Sequence, residues 1–250
     1  MPLTFTIDDY ALPDFIALAS NFPASGYAYV VTPNVDHLIR YVDDPSFRAL
    51  YETADFVMLD SRFLARLLSF TRALRLQVCP GSDITVQLFN QAIRPQDKIV
   101  LIGGSSEQAN FVAQRHGLQN LQHYNPPMGF ISNPAAVEEC LQFIEQASPF
   151  RFCFLAIGSP QQEQIAQELK RRGIARGMAL CVGASINFLT GKEVRAPLWM
   201  QKLGFEWLYR LMRDPKRLAK RYLVRGPRIF LLLKDITFVP RKAQPAAPDA

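Results

Sequence analysis

The sequence predicts an α/β fold: a mainly parallel sheet with helices on both faces, followed by a basic helical C-terminal appendage. Three observations carry this. Short apolar runs rich in Val, Ile, Leu and Phe alternate with amphipathic runs of helical period, the pattern of repeated βαβ units. Many of the apolar runs end in small, polar or Gly-containing turns, at Thr32-Pro33-Asn34, Asp60-Ser61, Gly103-Gly104-Ser105, Gly158-Ser159-Pro160 and Gly183-Ala184-Ser185. The charge is also uneven. Residues 192–242 hold 14 Lys and Arg against 4 Asp and Glu, a net of +10, whereas the 250-residue chain is +6, so the other residues sum to −4.

The elements follow in order. Leu3 to Ile7 alternates like a short strand, and Asp8 or Asp9 is placed to cap a helix running to about Asn21. Tyr27 to Val31 reads as a buried strand, followed by a helix carrying Asp36, His37 and Arg40; Pro45 opens another. Phe56 to Leu59 is a strand ending on Asp60, and Leu64, Leu67 and Leu68 mark one face of the next helix. After the Pro80-Gly81 turn, Ser82 or Asp83 caps a helix to about Ala92. The strands Lys98–Ile102, Leu121–Tyr124, Phe152–Ile157 and Met178–Val182 then alternate with helices over 107–116, 133–147 and 161–171. Past residue 192, Asp214-Pro215 interrupts the helical pattern with an N-cap and a proline suited to the first turn, which predicts two short helices meeting at a corner. The expected division is a sheet-and-helix core over 1–191, the helical appendage over 192–240 and a disordered tail over 241–250.

Composition narrows the function classes. With 49% hydrophobic and 20% charged residues the chain is a globular protein with a sizeable core. Cys79, Cys140, Cys153 and Cys181 make no CxxC pair and read as buried thiols, and His37, His116 and His123 form no ligand-spaced pair, so no metal site is expected. The opening MPLTFTIDDY has acids where a secretory signal needs a basic region and an apolar run. No apolar stretch reaches the ~20 residues of a membrane span. A cytoplasmic protein is expected, with any membrane contact peripheral.

Right-handed crossovers place the C-terminal ends of parallel strands at one edge, where ligands bind. Thr32 to Asn34, Asp60, Gly103 to Ser105, Gly158 to Gln162 and Gly183 to Ser185 should therefore share one side of the molecule. Glycine turns before helices suit phosphate, because backbone N–H groups approach an anion there, although every such fold has glycines at these places. None matches GxGxxG or the P-loop, which argues against a dinucleotide dehydrogenase and a P-loop NTPase. A carboxylate directly after an apolar strand, as at Asp60, suits a general base or charge-pairing group and equally a helix N-cap; spacing leaves these open. Thr32 and Asn34 suit a sugar or uracil, or cap the next helix. Gln161, Gln162 and Glu163 form a polar first helical turn at the same edge, and Glu163 reads as an ordinary first-turn acid.

The pieces TPNVDHL (32–38), Asp60 after FVML, PGSD (80–83), PPMGF (126–130), AIGSPQQE (156–163), GASINFLTG (183–191) and RAPLWMQKLGFEWLYRLMRDPKRLAKRY (195–222) occur in the order and context of the WecG/TagA/CpsF glycosyltransferases. The chain resembles that family over roughly residues 27–235. The resemblance implies a metal-independent, cofactor-free, inverting transferase of the Rossmann-like type called GT-E. It implies transfer of a hexose or N-acetylhexosamine-type sugar from a UDP-sugar donor to a polyprenyl-diphosphate-linked saccharide, at the inner face of the cytoplasmic membrane, in bacterial cell-surface polysaccharide synthesis. By the same resemblance Asp60 is the catalytic base. Thr32, Asn34 and Gln162 lie in the donor pocket, with Gly103, Gly158, Ser159 and Gly183 at its turns. Arg210, Arg213, Arg217 and Arg221 are candidates to close over the diphosphate.

Three positions depart from the family pattern. Ser61 stands where Gly is common, Asn187 stands where many members have Asp, and Gln77-Val78-Cys79 holds no arginine before the Gly-x-Asp turn. The PPMGF piece leans towards the capsule and exopolysaccharide branch. Two other classes compete: a nucleotide-binding α/β module without turnover, and a nucleic-acid binder prompted by basic residues interleaved with Trp199, Trp207, Tyr209 and Tyr222. Against the latter, Leu208, Leu211, Met212, Leu218 and Leu223 recur at helical spacing, which suits docking on a core or a bilayer surface, so no nucleic-acid partner is expected. The run Ile229 to Leu233 beside Lys216, Arg217, Lys220, Arg221, Arg225 and Arg228 suits an anionic membrane surface, or a helix packed on the core. Association with a second copy of the chain is left open.

Overall fold

A computed structural model describes residues 2–242 of the chain. Its centre is a six-stranded sheet in the order β3-β2-β7-β6-β4-β5, parallel throughout. The strands are β2 (Tyr27–Val31), β3 (Phe56–Val57), β4 (Lys98–Ile102), β5 (Asn120–Tyr124), β6 (Phe152–Leu155) and β7 (Gly177–Cys181); β1 (Leu3–Asp9) lies apart. The helices between them are α1 (Leu12–Ser20), α2 (Val35–Asp43), α3 (Pro45–Glu52), α4 (Arg62–Arg72), α5 (Gly81–Gln87), α6 (Ser106–His116), α7 (Pro134–Gln146) and α8 (Gln161–Arg172).

Both faces of the sheet are covered because its central strands are apolar on both sides. Tyr29, Val31, Cys153, Leu155, Ala179 and Cys181 face a core shared with α2, α3, α4, α7 and α8. Their sequence neighbours Val30, Phe152, Phe154, Met178 and Leu180 face a second core with α1, α5 and α6. The four cysteines are buried and free. Side-chain caps set several helix starts. Ser105 and Gln108 form a reciprocal capping box at α6, and Asp44 accepts from Ser46 and Phe47 N–H before Pro45 begins α3.

The N-terminus departs from expectation. Neither Asp8 nor Asp9 caps α1, which starts after Ala11 with Pro13 in its first turn. Asp8 instead accepts from Val57 N–H at 2.7 Å and Asp9 from Gln77 N–H at 2.7 Å, tying β1 to the β3 side of the molecule. At α5 neither Ser82 nor Asp83 is the cap: the helix starts directly after Pro80, and a wide π-type turn carries it to Ala92. Strand β3 is shorter than the expected Phe56–Leu59, but its chain continues along β2, with Met58 N–H on Val31 O and Asp60 N–H on Pro33 O, both at 2.9 Å.

After β7 come α9 (Ser185–Leu189), α10 (Leu198–Leu203), α11 (Glu206–Arg213) and α12 (Pro215–Ala219). The corner is present: Asp214 accepts from Arg217 N–H and Pro215 opens α12. A wide π-type turn over Lys220–Arg225 and a tight 3-10 turn over Gly226–Arg228 lead to α13 (Ile229–Leu232) and then β8 (Ile236–Lys242), which the sequence places within the helical appendage and tail. β8 pairs in parallel with β1, Leu3 opposite Ile236 through Asp9 opposite Lys242, and the Arg241 guanidinium meets the Asp8 carboxylate at 2.5 Å. The segment after 192 is thus helical only to residue 235. Arg241 and Lys242, expected in a disordered tail, are strand; the rest of that expected tail, 243–250, lies outside the described residues.

Candidate active site

The carboxyl ends of β3, β2, β7 and β6 lie side by side, and the segment from α11 to α13 passes over them. Between them is a cavity of about 600 Å³. Its lining includes Thr32, Asn34, Asp60, Gly158, Ser159, Gln162 and Gly183 from the sheet edge, and Arg210, Arg217 and Arg221 from the segment above. Two of the residues predicted for this site lie elsewhere. Gly103 does not line the cavity: at φ +92° its missing side chain makes room for the Ala156 carbonyl, so its role is strand packing. Arg213 does not line it either; it is exposed and donates to the Tyr209 hydroxyl at 2.9 Å.

Asp60 is held from both sides. Its backbone N–H is on Pro33 O, and its Oδ1 accepts from Gly81 N–H at 2.8 Å. It is not the cap of α4. That is Ser61, whose hydroxyl accepts from Leu64 N–H at 3.2 Å, so Asp60 does not cap the helix that follows it; its bond to Gly81 is made to the first residue of α5. Burial pushes the Asp60 carboxyl up to about 6; the Gly81 N–H and Arg210 pull it down, and Glu206 and Asp83 push it up.

The neutral residues at the edge are already engaged with the protein. Thr32 donates to Cys181 O at 3.0 Å, joining β2 to β7. Asn34 caps α2 through Asp36 N–H at 3.0 Å and also accepts from Arg221 at 3.2 Å, so capping and site roles meet in one oxygen. Gln162 Oε1 accepts from Gly183 N–H at 2.9 Å, and its Nε2 donates to Glu163 at 2.9 Å. Gly183 has φ +54°, the left-handed turn that points its N–H back at Gln162.

The cations are arranged in pairs with acids. Arg221 lies 3.7 Å from Asp36, which Arg40 also meets at 3.0 Å. Asp36 also lines the cavity. His37 beside it is kept neutral by burial and by Arg221. Arg217 is held by Asp214 at 2.6 Å. Arg210 lies over the Phe188 ring and 3.9 Å from Glu193. Glu193 in turn accepts from Asn187, which itself accepts from Gln108. Arg62, two residues past Asp60, pairs with Asp83 at 2.9 Å; Arg195 meets the same carboxylate from the other side.

Arg40, Arg62, Asp36, Glu206, Phe188 and Trp207 also line the cavity and were not assigned to it from the sequence. Asp36 and Arg40 had a signal, being four apart in the first helix after Asn34; Glu206 and Trp207 had none beyond proximity to Arg210. Among the described residues, no group of three or more His, Cys, Asp and Glu side chains is placed to hold a metal ion. No helix among them is long and apolar enough to cross a membrane.

The arrangement combines one carboxylate of raised basicity with several guanidinium groups at the ligand edge of a parallel sheet. That set suits proton abstraction from a hydroxyl beside a leaving group that carries phosphate. A comparison with protein-family models agrees with this class of chemistry: the model described as the glycosyl transferase WecG/TagA/CpsF family matches residues 2–242.

Proposed function

The chain belongs to the WecG/TagA/CpsF family of glycosyltransferases, enzymes of cell-surface polysaccharide synthesis, and on that premise we propose an inverting transfer from a UDP-sugar to a polyprenyl-diphosphate-linked saccharide. The observation that carries the reading is the meeting of Asp60 with Arg210, Arg217 and Arg221 in one cavity. Asp60 takes the proton of an acceptor hydroxyl. The freed oxygen attacks the anomeric carbon from the face opposite the UDP, and the bond from that carbon to the phosphate oxygen breaks, its electron pair leaving with UDP. Arginines offer planar, bidentate donors to the diphosphate and take up its growing charge in place of a metal. Thr32, Asn34, Ser159 and Gln162 supply neutral hydrogen-bonding groups suited to the uridine and sugar.

The wall of the cavity formed by Phe63, Trp207, Tyr222, Leu223 and Phe230 is apolar and continues to the surface, where Leu223, Val224, Phe230 and Leu231 are exposed. This suits an acceptor whose lipid stays in a bilayer. The reading places the protein on the inner face of the cytoplasmic membrane, with the core over 1–191 holding the donor and the segment from 192 closing the site. The test is a screen of UDP-sugars against polyprenyl-diphosphate-linked mono- and oligosaccharides, read as a lipid-linked product. Turnover with one pair, unchanged by EDTA, is expected; UDP binding with no product from any acceptor would favour a binding module.

A further inference from the structure

Glu163 lies in the first turn of α8, where an acid is ordinarily solvated and serves the helix dipole. Here it is 0% exposed. Its Oε1 accepts from Gln162 Nε2, while its Oε2 is buried without a hydrogen bond. The Ser159 hydroxyl is also buried without one. Ser159 and Gln162 both line the cavity, and Gln162 holds the Gly183 N–H with its other end. One buried carboxyl therefore sits behind three of the residues assigned to the donor.

We propose that Glu163 is the positioning residue of the cavity floor: its carboxyl fixes the Gln162 carboxamide and the Ser159 hydroxyl, and through Gln162 the Gly183 turn, in the orientation that meets the donor. This rests on reading the cavity as the donor site. Gln162 Nε2–H donates to one oxygen and the Ser159 hydroxyl is a donor for the other, and both bonds favour the carboxylate over the acid. Burial opposes them and pushes Glu163 up to about 7. The groups facing it are Tyr29 of β2, Tyr51 of α3, Cys181 of β7 and Arg40 of α2, the last already paired with Asp36. As pH rises through about 7, Glu163 ionises, and the Gln162 amide, the Ser159 hydroxyl and Arg40 all hold the new charge, Gln162 most strongly of the three.

The test uses the full chain with UDP as the probe, measured by calorimetry from about pH 6 to about pH 8.5. As Glu163 ionises and tightens its hold on Gln162 and Ser159, wild-type affinity should rise across that range relative to that of Glu163→Gln, whose side chain stays neutral throughout. Both proteins share the titrations of Asp60 and of UDP, so their difference belongs to Glu163. Glu163→Ala should bind UDP about tenfold more weakly at the lower pH, the worth of one lost hydrogen bond. Identical pH profiles for wild type and Glu163→Gln, or full UDP affinity in folded Glu163→Ala, would overturn the proposal. Should the alanine variant fail to fold, the first comparison decides. A wild-type chain that binds no UDP at any pH instead refutes the donor reading. The Gln162 side-chain amide resonance, assigned by its loss in Gln162→Ala, then decides the positioning: it should shift with pH in wild type and stay fixed in Glu163→Gln, and a resonance indifferent to pH in wild type counts against it.

Discussion

The Asp60 carboxyl is held between surroundings that discharge it and donors that charge it. Burial favours the neutral acid, while the Gly81 N–H and Arg210 favour the anion, and the balance leaves it near 6. At pH 7 it is mostly ionised and still basic enough to take a proton, which is the poise a general base needs. Transfer should therefore lose rate below about pH 6 as Asp60 protonates. Asp60→Asn keeps the acceptor for Gly81 N–H and removes the basicity, so it should fold, bind UDP-sugar and lose turnover by about 10²–10⁴-fold; product formation at the wild-type rate would move the base elsewhere. The same raised values predict a stability profile. Asp60 and Glu163 hold protons in the folded chain over a range where the unfolded chain has released them. Their contribution is present below about pH 4 and lost as pH rises through about 6 and about 7. Urea unfolding at pH 8 should accordingly find Asp60→Asn more stable than wild type, by no more than about 3 kcal/mol for a shift of about two units. Asp60 was legible in the sequence because it follows an apolar strand. Glu163 was not, because its burial depends on α8 starting inside the sheet edge, which no local pattern reveals.

At the scale of elements, α11 and α12 decide which arginines reach the cavity. Their spacing put Arg210, Arg213, Arg217 and Arg221 on one face of an ideal helix, but the Asp214-Pro215 corner turns that face. Arg213 ends outside, on Tyr209, while the other three line the cavity. Arg210→Ala, Arg217→Ala and Arg221→Ala should each weaken turnover, by about tenfold or more for a lost charge-assisted contact, with Arg213→Ala as the near-neutral control. Equal losses in all four would assign the effect to the general charge of the segment. The support behind Arg210 gives Asn187 a physical reason: its amide both accepts from Gln108 and donates to Glu193, which an aspartate cannot do. Asn187→Asp should set two carboxylates against each other and lower stability by about 1 kcal/mol in urea unfolding, relieved in the double variant Asn187→Asp/Glu193→Gln. The corner itself was legible, since an Asx cap followed by proline is a local signal. The misplaced caps at Asp8, Asp9, Ser82 and Asp83 show the limit of that signal: Asp8 and Asp9 lie in β1 short of α1, Ser82 and Asp83 lie inside the first turn of α5, and the three acids are used by other parts of the chain.

Across the whole molecule, the sheet and its ligand edge were legible because βαβ units are built from local periodicity. The pairing of β8 with β1 was not, because it joins segments far apart in the chain, and residues 236–240 read as part of the helical appendage. That pairing brings the last strand back beside β3 and so anchors the segment that crosses the cavity. It also fixes which of its residues face outward. The run Ile229 to Leu233, read as either membrane-facing or core-packed, is divided: Ile229 and Leu233 are buried, and Phe230 and Leu231 are exposed. The basic cluster divides as well. Arg228 is paired with Asp43, Arg217 with Asp214, and Arg221 points to Asn34 and Asp36, whereas Lys216, Lys220 and Arg225 are exposed and make no ion pair among the described residues. Three free cations beside exposed Leu223, Val224, Phe230 and Leu231 suit the proposed attachment to an anionic bilayer, at about 1 kcal/mol per cation. Flotation with anionic vesicles should show binding that falls with salt. Replacing Lys216, Lys220 and Arg225 together by Gln should weaken it by about 10²-fold, about 3 kcal/mol, without touching the cavity arginines, so UDP binding should be unchanged. Binding to neutral vesicles that equals binding to anionic ones, or a triple variant that floats like wild type, would reject this face as the membrane contact.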